Sequence, residues 1–168
     1  PPASIDVPSK INHDYEDLAF GQVAVNRAGH DVGVPIVLLP HLPGDVSLYT
    51  EGMLALAALG RRVIALDMPG NGDSDDWAAA PSVAGYAGVV GDVLDALGLA
   101  QVDLLGHQGG ASVATEFALT QREKVRNLIL FAPLAMPDEI RLALAPNYAP
   151  SIEPKWDGSH LISLWFAL

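Results

Sequence analysis

The fold of this chain follows from residues 102–110, which read VDLLGHQGG. An apolar run, Val102–Leu105, leads directly into a glycine-rich turn, and an apolar helical pattern begins after the turn. A turn this tight between a strand and a helix forces its central residue, Gln108, into a strained backbone conformation. Small residues two positions before and after it avoid a steric clash. The sequence therefore predicts a sharp strand–turn–helix unit in which Gly106 and Gly110 are the small spacers.

Three other apolar runs have the same character as the run before this turn. They are Val34–Leu39, Val63–Leu66 and Leu128–Phe131. Short runs rich in Val, Ile and Leu are typical of parallel strands buried on both faces. Stretches with helical spacing of apolar residues lie between them: Tyr49–Leu59, Val83–Leu97 and Ala111–Gln121. This alternation predicts an α/β fold, a mostly parallel sheet with helices on both faces.

The two ends of the chain differ from this core. Residues 1–14 are polar and contain prolines, and we expect them to form a lead-in. We assign residues 15–133 to the core, which opens with two short strands separated by Gly21. Prolines divide residues 134–168 into short pieces. We expect this last segment to be the start of a helical cap, with short helices near 138–145 and 159–168.

Composition excludes several classes of function. The 168 residues are 50% hydrophobic and carry a formal charge of −11, which phosphate backbones and anionic lipid repel, so we expect no nucleic-acid and no membrane partner. No apolar run approaches the ~18 residues that cross a bilayer. The chain has no cysteine and hence no thiol nucleophile. We expect no cofactor and no metal, since no metal-ligand spacing is present, and we expect a cytoplasmic protein.

The loops after the apolar runs resemble, in order and spacing, those of the α/β-hydrolase superfamily. Leu42-Pro43-Gly44 resembles the family's oxyanion loop, and residues 67–74, DMPGNGDS, resemble its D-x-P-G-x-G-x-S loop. Residues 93–107 resemble the approach to the nucleophile elbow, and residues 124–130 resemble the strand after it. The match covers roughly residues 18–135. It implies an α/β-hydrolase fold and hydrolase-like chemistry on a small organic substrate.

The chain departs from the family at the position of the nucleophile. Gln108 stands where the family has Ser, Asp or Cys, and a neutral amide has no group that attacks near neutral pH. The resemblance places Leu42 and Gly109 as backbone N–H donors to a developing oxyanion, each worth ~3 kcal/mol. We therefore single out Gln108, Leu42 and Gly109 as candidate catalytic positions. His41, in the oxyanion loop, and His107, beside the turn, are candidate substrate-binding residues.

The family's catalytic acid and histidine follow later strands, and no counterpart stands in this sequence. His160 lies 52 residues after Gln108 (160 − 108) with no strand pair between them, so we assign it to the cap; we expect Trp156 to line the substrate pocket from there. A sheet that ends at Leu128–Phe131 leaves an apolar edge unpaired. We expect a second chain, in a heterodimer, or a C-terminal half to supply the remaining strands, the acid and the histidine.

Three functions remain open. The chain is part of an enzyme that works without a covalent nucleophile, or a non-catalytic homologue for ligand binding or assembly, or a conventional hydrolase whose nucleophile has been substituted. Dinucleotide binding is disfavoured, because the G-x-G-x-x-G pattern requires glycine where Gln108 stands. Asp67 ends a strand, and we expect it to stabilise its loop rather than to react.

Overall fold

The computed structural model describes residues 10–78, 80–148 and 153–162. Their helices and strands, in chain order, are β1 Asn12–Leu18, β2 Gly21–Ala28, β3 Ile36–Leu39, a 3-10 helix Val46–Tyr49, α1 Thr50–Ala58, β4 Val63–Leu66, α2 Val83–Ala96, β5 Val102–His107, α3 Gly109–Thr120, a 3-10 helix Arg122–Lys124, β6 Val125–Phe131 and α4 Asp138–Tyr148.

The described strands form a six-stranded sheet in the order β1-β2-β4-β3-β5-β6. The two N-terminal strands join it in antiparallel fashion, and β3, β4, β5 and β6 run parallel. Each apolar run that we predicted to be a strand is one, and each helical pattern of the core corresponds to α1, α2 or α3. The predicted α/β fold with a mostly parallel sheet is confirmed.

Alternate residues of the central strands enter two separate apolar cores. In β3, the fully buried Val37 and Leu39 belong to the core beneath α2 and α3, which also contains Phe117 of α3. Leu38, between them, belongs to the other core, with Met53 of α1. Because successive side chains of a strand point to opposite faces, helices cover both faces of the sheet, as predicted.

The N-terminal end of the sheet differs from the expected lead-in. Strand β1 begins at Asn12, inside residues 1–14, and pairs with β2 so that Asn12 lies opposite Arg27. The side chain of His13 also hydrogen-bonds Asn26 of β2 at 2.8 Å between Nδ1 and Oδ1. Polar residues in an edge strand do not give the apolar signal by which strands are recognised, and the pairing with β2 defines this one. Residues 1–9 lie outside the described residues.

Residues 135–168 form a compact unit of their own. Helix α4 spans the stretch near 138–145 that we predicted to be helical, and residues 159–162 are helical too. The rest of the helix predicted for 159–168 lies outside the described residues. Within the described ranges, no helix has the length and apolarity needed to span a membrane.

One buried carboxylate joins β5 to β6 and to the turn before β4. Asp103 is 4% exposed and accepts hydrogen bonds from Arg126 Nε at 2.8 Å, from Arg61 Nη2 at 2.7 Å and from Asn127 Nδ2 at 2.7 Å. Arg126 and Asn127 belong to β6, so this network fixes the outer strand at its N-terminal end. The hydrogen bond from Arg126, more than any other contact, holds the pKa of the Asp103 carboxyl well below its usual range, against the opposing effect of burial.

We expect Asp103→Asn to lower the free energy of unfolding by about 2 kcal/mol at pH 7, because hydrogen bonds to charged groups contribute about 1.5–3 kcal/mol each. A carboxyl whose folded-state pKa is depressed stabilises the fold above its unfolded-state pKa of about 4, and this stabilisation is lost as the pH falls through the folded-state value. The difference between variant and parent should therefore shrink steadily below about pH 4. Urea denaturation followed by circular dichroism at pH 7 and pH 3 measures it.

Asp95→Asn is the matched control. Asp95 accepts a hydrogen bond from Lys124 Nζ at 2.6 Å, but its side chain is 70% exposed. An exposed ion pair contributes less than about 1 kcal/mol. Equal losses in the two variants would contradict a special contribution from the Asp103 network.

Candidate functional site

The structure contains the sharp turn predicted between β5 and α3. Gln108 lies at its centre with φ 48° and ψ −111°, a region that non-glycine residues rarely adopt. Its backbone N–H donates to the carbonyl oxygen of Phe131, the last residue of β6, at 3.0 Å. Backbone strain of this kind costs on the order of 1–3 kcal/mol and is typical of functional sites. The strained conformation leaves the Gln108 side chain exposed beyond the end of the sheet.

The glycines around Gln108 are required by close contacts between backbones. A Cβ at Gly106 would collide with the carbonyl oxygen of Gly110 and lie 2.6 Å from Ala111 Cα. A Cβ at Gly110 would collide with the carbonyl oxygens of Leu39 and Pro40, where β3 ends. The start of α3 therefore lies directly against β5 and the end of β3, and only glycine allows it.

The same close packing brings the two predicted backbone donors together. A Cβ built on Gly109 would lie 3.1 Å from the backbone nitrogen of Leu42. Among the described residues, neither the N–H of Leu42 nor that of Gly109 donates to a protein acceptor. The backbones of Leu42 and Gly109 thus lie next to each other beside Gln108, each with an N–H that the described part of the chain leaves unpaired.

A cavity of about 550 Å³ opens beside the turn. Its lining residues are His41, Leu48, Tyr49, His107, Gln108 and Phe131. Three of the six residues singled out from the sequence, Gln108, His41 and His107, therefore meet in one place. Trp156 belongs to the separate unit 135–168, where its side chain is fully exposed, and its predicted role in the pocket wall stays a prediction.

Tyr49 is at the centre of the cavity's polar contacts. Its hydroxyl oxygen lies 2.6 Å from His107 Nδ1 and 3.4 Å from His41 Nδ1, and it accepts the backbone N–H of His41 at 3.0 Å. Sequence reasoning missed this residue, because it begins an apolar helical pattern and its partner His107 lies 58 positions away. The one sequence signal for a role of Tyr49 in the site was its place at the end of the loop that contains His41.

The imidazole of His107 is half-buried and packed on an aromatic ring. Its centroid lies 4.7 Å from that of Phe131 and 5.9 Å from that of His41. Burial, and to a smaller extent the neighbouring His41, lowers the pKa of His107. Burial also raises the pKa of the Tyr49 phenol. At neutral pH both groups are therefore uncharged, and the contact between them is a hydrogen bond between neutral groups.

Asp67 has the contacts of a residue that stabilises its loop. It is 1% exposed, and its carboxylate accepts the backbone N–H of Val46 at 2.8 Å and that of Asp73 at 3.2 Å. Its backbone carbonyl accepts the hydroxyl of Ser74 at 2.8 Å. These contacts fix the loop after β4 and the start of the 3-10 helix. In the described part of the chain, no group of three or more His, Asp or Glu side chains is placed to hold a metal ion.

Comparison with known proteins agrees with this geometry. A family model described as "alpha/beta hydrolase fold" matches residues 34–156. Epoxide hydrolase 2 of Siraitia grosvenorii is 42% identical over 125 residues, which are 71% of this chain and 38% of that protein.

Two solved structures have a similar fold. The epoxide hydrolase CorEH matches with a TM-score of 0.70 and 28% identity, over 83% of this chain and 51% of that one. The N-acyl homoserine lactonase AidH matches with a TM-score of 0.67 and 25% identity, over 73% and 45%. The chain thus spans about half the length of these structures and less of the curated relative.

We expect Gly106→Ala to lower the free energy of unfolding by about 3 kcal/mol, the upper range for forcing an extra methyl into a packed site. The methyl would meet backbone atoms of α3, which cannot move aside without opening the turn. Thermal or urea unfolding measures the loss.

Gly88→Ala tests whether this effect is specific to the turn. Gly88 lies on the exposed side of α2, with nothing within 4 Å of a built Cβ. Alanine is favoured over glycine inside a helix by roughly 0.5–1 kcal/mol, so this variant should be slightly stabilised. A destabilisation of Gly106→Ala no larger than the change in Gly88→Ala would contradict the close packing at the turn.

Proposed function

The chain belongs to the α/β-hydrolase-fold family, and we propose its function from this premise. The chain carries the N-terminal part of a hydrolase-like active site that acts on a small organic substrate without a covalent nucleophile at position 108. Esters, lactones and epoxides are the candidate substrates, since epoxide hydrolases and a lactonase are among the similar proteins. The observation that carries the proposal is the strained, exposed Gln108 beside two unpaired backbone N–H groups.

The proposed chemistry separates polarisation of the substrate from attack on it. The N–H groups of Leu42 and Gly109 stabilise negative charge that develops on a substrate oxygen, and one such donor is worth about 3 kcal/mol. Gln108 has an amide at the position of the attacking atom, so it orients the substrate or a water molecule by hydrogen bonding. A water molecule, activated by a base, then attacks the substrate. His41 and His107 contact the substrate from the cavity wall.

The two edges of the sheet support the proposal that the acid and the base come from further polypeptide. Strand β1 has acidic side chains at Asp14, Glu16 and Asp17, which discourage pairing with another strand. Strand β6, at the opposite edge, ends in four consecutive apolar residues that are 39–61% exposed: Leu128, Ile129, Leu130 and Phe131. These side chains alternate between the two faces, so both faces of this edge are uncovered in the described residues.

The apolar end of β6, Leu128–Phe131, carries no charged side chain and is partly exposed, which makes it a site for strand addition. We propose that a C-terminal half, of the kind that the longer relatives contain, continues the sheet from β6 and covers both faces of this edge. That half also supplies the catalytic acid and histidine. A separate subunit in a heterodimer would fill the same edge, and the molecular mass of the isolated protein distinguishes the two.

We expect the isolated protein to contain more polypeptide than the 17.7 kDa of this chain. Intact mass spectrometry under denaturing conditions separates a longer single chain from two chains, and light scattering gives the mass of the assembly. A single monomeric species of 17.7 kDa would contradict the proposed C-terminal half and the subunit alike.

A matched pair of lysine variants locates the interface. Ile129 on β6 and Tyr15 on β1 are exposed to similar extents, 42% and 47%. Ile129→Lys should dissociate or destabilise the assembly, because it places a charge in the paired edge, whereas Tyr15→Lys should leave the assembly intact. Equal behaviour of the two variants would contradict an interface at β6.

Two other functions remain as outcomes of one experiment. The absent nucleophile favours a non-catalytic homologue that keeps the cavity for ligand binding or assembly. The intact turn also fits a conventional hydrolase in which the nucleophile has been substituted.

Activity on a panel of esters, lactones and epoxides, measured for the parent and for Gln108→Ser with the C-terminal half present, separates these functions. We expect turnover in the parent with no covalent adduct in intact mass spectra, because an amide cannot form an ester intermediate. Activity in the Ser variant alone would instead indicate a substituted nucleophile. Saturable binding without turnover in either protein would indicate a ligand-binding homologue.

A further inference from the structure

The contacts of the Tyr49 hydroxyl favour one protonation pattern of His107. The oxygen of Tyr49 already accepts the backbone N–H of His41, a donor that cannot be reversed. The hydroxyl has one proton, and the shorter contact, 2.6 Å to His107 Nδ1 against 3.4 Å to His41 Nδ1, favours its donation to His107. An imidazole that accepts at Nδ1 while neutral carries its proton on Nε2.

The opposite side of His107 has no such partner. Among the described residues, none hydrogen-bonds His107 Nε2, and the ring lines the cavity beside Gln108. Phe131 packs against one side of the ring at 4.7 Å between centroids, which restricts its rotation. The Nε2–H is therefore a donor held in a defined position at the cavity wall.

The six lining residues of this cavity also limit the charge of a ligand. None of them is an acid or a permanently charged base; they are His41, Leu48, Tyr49, His107, Gln108 and Phe131. A carboxylate would find no cation to pair with here and could bind only through neutral donors, such as the N–H groups of Leu42 and Gly109, while the chain's net charge of −11 opposes its approach. Leu48 and Phe131 offer apolar surface, and Gln108 and His107 offer neutral hydrogen-bond donors.

We propose that Tyr49 is a positioning residue that holds His107 in the Nε2–H form, and that the cavity accordingly binds uncharged molecules with a carbonyl oxygen in preference to carboxylates. This inference rests on the proposed function, because it names the substrate class of the same site. Within that class it favours esters, lactones and ketones, whose oxygen accepts from His107 Nε2.

Nitrogen-15 NMR of histidine side chains tests the first part in the intact protein. At neutral pH we expect His107 to show a protonated Nε2 and an unprotonated Nδ1. Tyr49→Phe should convert it to a mixture of tautomers, because the group that donates to Nδ1 is gone. Tyr86→Phe is the control: it removes a phenol on α2 whose one hydrogen bond to a described residue is a long one, 3.4 Å to the carbonyl oxygen of Pro69, and it should leave His107 unchanged.

Two probes of similar size test the ligand class. Cyclopentanone is a stable neutral carbonyl compound, and cyclopentanecarboxylate is its anionic counterpart. Titration followed by the His107 signals should show cyclopentanone binding at least about tenfold more tightly. Tyr49→Phe should weaken that binding by about twofold, because in an even mixture of tautomers only about half of the molecules carry the proton on Nε2.

A His107 found with its proton on Nδ1, or a Tyr49→Phe variant with unchanged tautomer and affinity, would overturn the positioning role. Carboxylate binding as tight as that of the ketone, or no ketone binding, would overturn the ligand class. These measurements need no turnover. If the proposed catalysis fails while the tautomer and the ketone preference hold, the inference about the cavity stands.

Discussion

The close approach of three backbone segments around Gln108 determines the geometry of everything else in the site. Gly106 and Gly110 allow the start of α3 to lie against β5 and the end of β3 without any intervening side chain. The same contact places the Leu42 backbone next to Gly109. The turn, the pair of backbone donors and the mouth of the cavity are therefore consequences of one packing constraint, and none of them depends on the side chain at position 108.

That independence explains how a hydrolase-like turn can hold a residue with no nucleophilic atom. The strained backbone at Gln108 is maintained by glycine contacts and by the N–H donated to Phe131 of β6. Replacing a side chain that projects into an open cavity leaves these contacts in place. The fold consequently does not depend on which side chain stands at position 108, and the proposed function assigns the chemistry to the groups around it: Tyr49, His107 and two N–H groups.

The sequence was sufficient for the parts of the fold that depend on local pattern. The apolar runs predicted β3, β4, β5 and β6, because strands buried on both faces need continuous apolar residues. Glycine spacing marked the turn, because its steric requirement is local. The start of β1 at Asn12 was not predicted, because polar residues at a sheet edge bury too little surface to give an apolar pattern.

The polar contacts of the site could not be predicted from the sequence, and the reason is a different one. Tyr49 meets His107 only because β3 and β5 are neighbours in the sheet and their C-terminal ends share one edge. A tyrosine in an apolar helical pattern is read as a core residue unless its partner is known. The positions of His41 and His107 could be anticipated from loops that follow adjacent strands, whereas the hydrogen bond that joins them through a phenol could not.

The asymmetry between the two sheet edges bears on where the proposed catalytic base would enter the site. Acidic residues protect β1, but the apolar end of β6 is open on both faces and carries Phe131, which packs on His107. In the proposed assembly, polypeptide that covers this edge also touches the wall of the cavity, so completing the sheet and completing the site would be one event. Without that polypeptide the backbones of Leu42 and Gly109 are already in place, so the proposed C-terminal half would control reactivity by supplying the base.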